Sequence, residues 1–195
     1  MGKKTTGIAM VLILISFAGF SQRADSIKTH LNHYSLAVGT GWTHYYNNLE
    51  YGDQNIKQDF VGISLKFFWE PEYRLSLGLE TGYYKLFKVT DHIGTDTVFE
   101  AHRTVVPLML MVRMRLVDNF YLSAGMGLAL INNKTSVLSV AHSTQTWSLS
   151  NYEFAGSYLY PFSRHLQAGG EVKLYNFGSL NDWMYGIHLT CAYRF

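Results

Sequence analysis

Eight histidines are the first residues in this sequence that could carry chemistry. An acyl-transfer site would need one of them beside a serine and oriented by a carboxylate, so that the imidazole can take the hydroxyl proton. His142 precedes Ser143, His102 follows Glu100, and His44 stands near the end of an alternating segment. None of these forms a motif. His33, His92, His165 and His188 are scattered, and His30 with His33 reads as solvated. No close pair shares a strand face at ligand spacing, as a metal site would require. The sequence therefore predicts no catalytic, cofactor-binding or metal site.

The second set of reactive side chains is ionic. Lys66, Arg74, Glu80, Arg113, Arg115, Glu171, Lys173 and Arg194 all stand in alternating segments beside mostly apolar neighbours. Side chains on a strand alternate between faces, so each charge shares a face with small or polar residues and opposes an oily one. Charged residues on a lipid-facing surface cost ~2–4 kcal/mol at mid-bilayer for Lys or Arg, so they must point inward. Two carboxylates among six bases predict an interior ion-pair network. Arg113 and Arg115 are the expected partners of Glu80, and Lys173 and Arg194 those of Glu171.

The elements that position these charges are eight segments of period two: residues 34–46, 60–69, 73–87, 104–116, 120–131, 152–160, 166–177 and 184–195. Short connections (70–72, 117–119, 161–165) alternate with longer polar ones (47–59, 88–103, 132–151, 178–183). An up-and-down barrel with both termini on one side requires this order, and its tilted strands need ~9–11 residues each to span. Aromatics collect at strand ends, including Tyr45, Tyr46, Tyr83, Phe87, Trp183 and Tyr185, and predict two interfacial girdles. Eight strands close a barrel just wide enough for side chains to fill. The expected fold is thus all-β: an eight-stranded antiparallel up-and-down transmembrane barrel.

The ends of the sequence fit this reading. Lys3 and Lys4 precede a thirteen-residue run (8–20) broken only by Ser16, and small residues follow. That is the pattern of a secretory signal peptide, expected to be cleaved after Ser21, and the run is too short for a spanning helix. The domain reading is signal peptide 1–21, a short periplasmic segment 22–33, and the barrel 34–195. The net charge of +2 is small, and no basic cluster is dense enough for nucleic acid. Cys191, the sole cysteine, reads as a small apolar residue on an oily face. A soluble lipocalin would carry Gly-x-Trp in its first strand, but Thr40 occupies the place two before Trp42.

Three stretches resemble known proteins. Thr104 to Arg113 (TVVPLMLMVR) resembles a strand of the small outer-membrane β-barrel proteins related to PorT. Phe120 to Leu130 (FYLSAGMGLAL) resembles the strand that follows it. The architecture is similar to the eight-stranded OmpA and OmpX barrels. The terminal alternation closing on Tyr193 and Phe195 resembles the assembly signal of this class. The resemblance implies an integral outer-membrane protein of a Gram-negative bacterium with both termini periplasmic. The partners it implies are outer-membrane lipid, lipopolysaccharide and the barrel-assembly machinery during biogenesis. A monomer is expected. The function expected is structural or binding through the loops, without catalysis. A lipid A-modifying enzyme is the alternative, followed by a narrow porin-like channel or a secretion-assembly component.

Overall fold

The computed structural model describes residues 32–46, 56–71, 74–93, 96–137, 140–178, 180 and 182–195. The segment read as a signal peptide and nearly all of 22–33 lie outside them. Among the described residues nine strands follow in order: β1 (His33–Tyr46), β2 (Ile56–Lys57), β3 (Asp59–Glu70), β4 (Leu75–Ile93), β5 (Asp96–Val117), β6 (Phe120–Val137), β7 (Val140–Pro161), β8 (Leu166–Phe177) and β9 (Asp182–Arg194). Eight are long, and the two-residue β2 pairs only with the far part of β4. Every long strand pairs antiparallel with its neighbours, and β1 pairs β9 from Ser35↔Arg194 to Tyr46↔Trp183. That last ladder closes the sheet, which leaves no long edge strand unpaired among the described residues.

The alternation in the sequence is realised as two faces. In β9, Leu189 is 75% exposed while His188 beside it is 1% exposed. Outward positions of the other strands carry Leu36, Val38, Ile63, Leu65, Leu77, Leu79, Leu108, Leu110, Val172 and Ile187, all well exposed. A continuous apolar surface of this extent is unstable in water and marks a lipid-facing wall. Cys191 lies on that outer face.

Glycines on the inner face make room for large interior rings. A Cβ on Gly62 would come within 2.5 Å of the Tyr84 ring, and one on Gly82 within 2.9 Å of the ring's other side. Tyr84 is fully buried between them.

Two segments differ from the sequence expectation. Residues 88–103 and 132–151, expected as loops, are mostly strand. β4 runs on to Ile93 before β5 starts at Asp96, and β6 runs to Val137 before β7 starts at Val140. These ribbons are mostly polar, with only isolated exposed apolar residues such as Val140, Trp147 and Leu149, so no sustained apolar alternation marks them. They keep Thr and Val residues suited to a pleated ladder. The barrel therefore has a ribbon end and, opposite, a turn end with short connections and the described termini. In one of those turns Asn119 takes φ 66°, a conformation Asn tolerates well.

The girdle expectation fails at two residues. Tyr45 is buried, and its hydroxyl donates to Asp182. Phe87 is also interior because the register shifts between Lys85 and Phe87, a bulge that places Leu86 and Phe87 inward together.

Candidate functional site

Interior side chains form two ionic layers. The first lies midway along the barrel and is built by four strands. Lys66 on β3 is paired directly across the ladder with Glu80 on β4, with Nζ and Oε2 3.4 Å apart. Lys66 also donates to Glu171 on β8. Lys173, two residues along β8, donates to Glu80 and lies 3.4 Å from Glu153 on β7 and 3.4 Å from Glu171. The Tyr84 hydroxyl accepts from Lys173 at 3.2 Å. Lys66, Glu80, Glu153, Glu171 and Lys173 are each 0–3% exposed. His188 is packed at 6.0 Å between ring centroids from Tyr84. Three carboxylates thus share two ammonium groups out of reach of water. In such surroundings the layer holds together because Lys66, Glu80, Glu171 and Lys173 each face two or more opposite partners, while Glu153 meets Lys173 alone.

The second layer lies toward the turn end and is built on arginine. Glu70, at the end of β3, accepts from Arg113 at 2.5 Å, from Arg194 at 2.7 Å and from the Ser35 hydroxyl at 2.9 Å. The Arg113 guanidinium lies over the Phe68 ring at 3.9 Å and over Tyr121 at 4.9 Å, which adds cation–π attraction. Arg115 pairs with Asp118 in the following turn at 2.9 Å. Arg74 is exposed.

These positions correct the expected pairs. Glu80 is bound by Lys173 and Lys66, with no contact to Arg113 or Arg115. Arg113 stands opposite Ser76, four residues along β4 from Glu80, so strand register places it in the other layer. Glu171 meets Lys66 and Lys173; Arg194 instead joins Glu70. The sequence places Glu70 in a turn and Glu153 on the polar face of its strand, outside the expected ionic set. Glu153 stands between Tyr152 and Phe154, so its inward parity was available as a signal.

The described histidines stay apart. His44 Nδ1 lies 2.9 Å from Asp59, which also accepts from the Trp42 indole at 3.1 Å. His102 Nδ1 lies 3.9 Å from Glu100. Among the described residues no histidine lies in hydrogen-bond reach of both a serine and a carboxylate. No three His, Cys, Asp or Glu side chains among them converge as a metal-ligand set either. Beyond the apolar belt, Lys88 pairs with Glu100 at 2.9 Å and holds that carboxyl below its usual range. Burial, with Lys85 nearby, lowers the His102 imidazole. A cavity of about 200 Å³ opens here, lined by Phe87, His102, Arg103 and Lys134 among others.

A closed all-β wall, oily outside and ionic inside, defines a small transmembrane barrel. The chain belongs to the outer membrane protein beta-barrel domain family, whose model matches residues 10–195. Its place is thus the outer membrane of a Gram-negative cell. The fold is similar to that of Ail, the attachment invasion locus protein of Yersinia pestis, crystallised with the heparin analogue sucrose octasulfate. That match has a TM-score of 0.56 and 12% identity, and covers 84% of this chain and 99% of the other. It is similar as well to a major outer membrane protein from Thermus thermophilus, with a TM-score of 0.56 and 15% identity, covering 85% of this chain and 100% of the other. No curated protein matches the chain in sequence.

Proposed function

We propose that this barrel stands with its turn end and both termini on the periplasmic side and acts by binding, without catalysis, through its outward ribbons. The alternation closing on Tyr193 and Phe195 then serves as the assembly signal. One observation carries the binding reading: a row of three lysines and a histidine that only the strand register creates. Lys57 on β2 stands opposite Lys88 on β4, Lys88 opposite His102 on β5, and His102 opposite Lys134 on β6. Neighbouring strands lie ~4.8 Å apart, so the row presents its bases within ~15 Å. Glu100 offsets Lys88, whereas Lys57 and Lys134 have no ion pair among the described residues. Such a row suits a polyanionic glycan whose sulfate or phosphate groups recur along the chain. Ail, a neighbour in fold, was crystallised with a polysulfated sugar. The reading for this chain rests on its own lysines.

The test is retention on immobilised heparin of the protein held in uncharged-lipid nanodiscs. The wild type should be retained and released by salt, as a screened interaction must be. The double variant Lys57→Glu/Lys134→Glu should elute at clearly lower salt. Equal retention of the two proteins sinks the row as a binding surface. Incubation with lipopolysaccharide, followed by mass spectrometry, separates the enzyme alternative: any change in lipid A acyl mass overturns the non-catalytic reading.

A further inference from the structure

We infer that the cavity at the turn end is a binding site for a phosphate group. The cavity has a volume of about 270 Å³ and lies among the short turns. Four arginines from separate segments line it: Arg74 before β4, Arg115 on β5, Arg164 in the β7–β8 turn and Arg194 on β9. Arg113 stands behind them, bound to Glu70. The described acidic side chains at this end are Glu70 and Asp118, so five guanidinium groups face two acidic side chains; Glu72 lies outside the described residues.

The donors here are not exhausted by internal partners. Glu70 is shared by Arg113 and Arg194, and Asp118 holds Arg115. Arg74 and Arg164 have no ion pair among the described residues. Arg194 Nε is buried without an acceptor. The Ser163 hydroxyl oxygen, also at the cavity, accepts from the main-chain N–H groups of His165 at 3.3 Å and Leu166 at 3.0 Å. Its own hydrogen therefore remains to be donated. Guanidinium forks match the oxygen geometry of phosphate and grip it bidentately, and a cluster of them on a partly enclosed wall favours a dianion over chloride. Two sources supply that chemistry at this place: inorganic phosphate, or the headgroup of a phospholipid in the surrounding leaflet.

Inorganic phosphate is the probe. It is titrated calorimetrically into the barrel in maltoside micelles at constant ionic strength, with chloride as the reference anion. Saturable binding absent with chloride is expected. Arg74→Gln/Arg164→Gln should weaken it roughly tenfold or more, since each lost charge-assisted bond is of that order. Both side chains lie at the surface and bond nothing described, so the variant should fold, as heat-modifiable migration on gels checks. Phosphate heats no larger than those of chloride, or an unchanged affinity in the folded double variant, overturn the site. Repeating the titration in phosphatidylglycerol nanodiscs identifies the source. Unchanged affinity marks free phosphate as the ligand, and loss of binding only in the phospholipid bilayer marks the headgroup. Lys57→Glu/Lys134→Glu at the ribbon end should bind phosphate like the wild type, so failure of the ribbon reading leaves this result intact.

Discussion

The two ionic layers of this barrel use opposite designs. Midway along it, three carboxylates enclose two lysines, and every member is shut away from water. At the turn end, arginines outnumber acids and line an open cavity. Lysine is a compact point charge that several acids can surround, whereas the arginine fork leaves donors to spare after one carboxylate is bound. The difference separates a layer that holds the wall together from one with capacity for a guest. Removing a charge should therefore be costly in the first layer and cheap at the exposed arginines that line the cavity of the second.

Lys173→Met offers the hardest test of that contrast. It leaves Glu80 and Glu171 with Lys66 alone and Glu153 with no ion pair among the described residues, and removing one partner of a buried ion cluster typically costs ~3–5 kcal/mol. Urea unfolding in lipid vesicles should show a loss of this order. Arg74→Gln, the matched removal of a base at the turn end, should stay within about 0.5 kcal/mol. Comparable losses in the two variants would erase the distinction between the layers.

A middle-sized effect concerns the space around the buried layer. Gly62→Ala drives a methyl into the Tyr84 ring, whose hydroxyl accepts from Lys173. Overpacking of this kind costs ~1–3 kcal/mol. Gly170→Ala is the control, because a Cβ there meets nothing within 4 Å. Unfolding midpoints should fall for the first and hold for the second. If both hold, the Tyr84 ring can shift without disturbing Lys173.

The same contrast explains what was legible in the sequence. Parity along a strand is local, so Leu189 out and His188 in could be read directly, as could the closed eight-stranded wall. Partner choice is not local. Glu80 and Arg113 sit on adjacent strands, yet Arg113 stands opposite Ser76, and only the strand register reveals it. Bulges reverse parity without a sequence flag, which moved Phe87 inside. Glu70 was hidden by its place beside a turn, and the ribbons were hidden because no lipid demands alternation beyond the belt. The lysine row and the arginine cavity bring together residues far apart in the chain, so no spacing motif could have announced them.

The smallest effect lies at the ribbon end, where the acid and base are both partly solvated. Lys88 donates to Glu100 and lowers its carboxyl pKa. A group whose folded pKa lies below its unfolded one stabilises the fold above the unfolded value, near ~4.3 for Glu. That contribution is lost as pH falls through the folded value, when Glu100 takes a proton and Lys88 is released. Each partner is about a third exposed, at 35% and 37%, so screening limits the pair to under ~1 kcal/mol. Amide exchange in 88–103 should therefore quicken, beyond the intrinsic pH effect, only below about pH 4. Glu100→Gln should remove that acid dependence and leave the ribbon at neutral pH slightly less protected than the wild type. An acid response that persists in Glu100→Gln would assign it to another carboxylate of the ribbon and detach Lys88–Glu100 from ribbon stability.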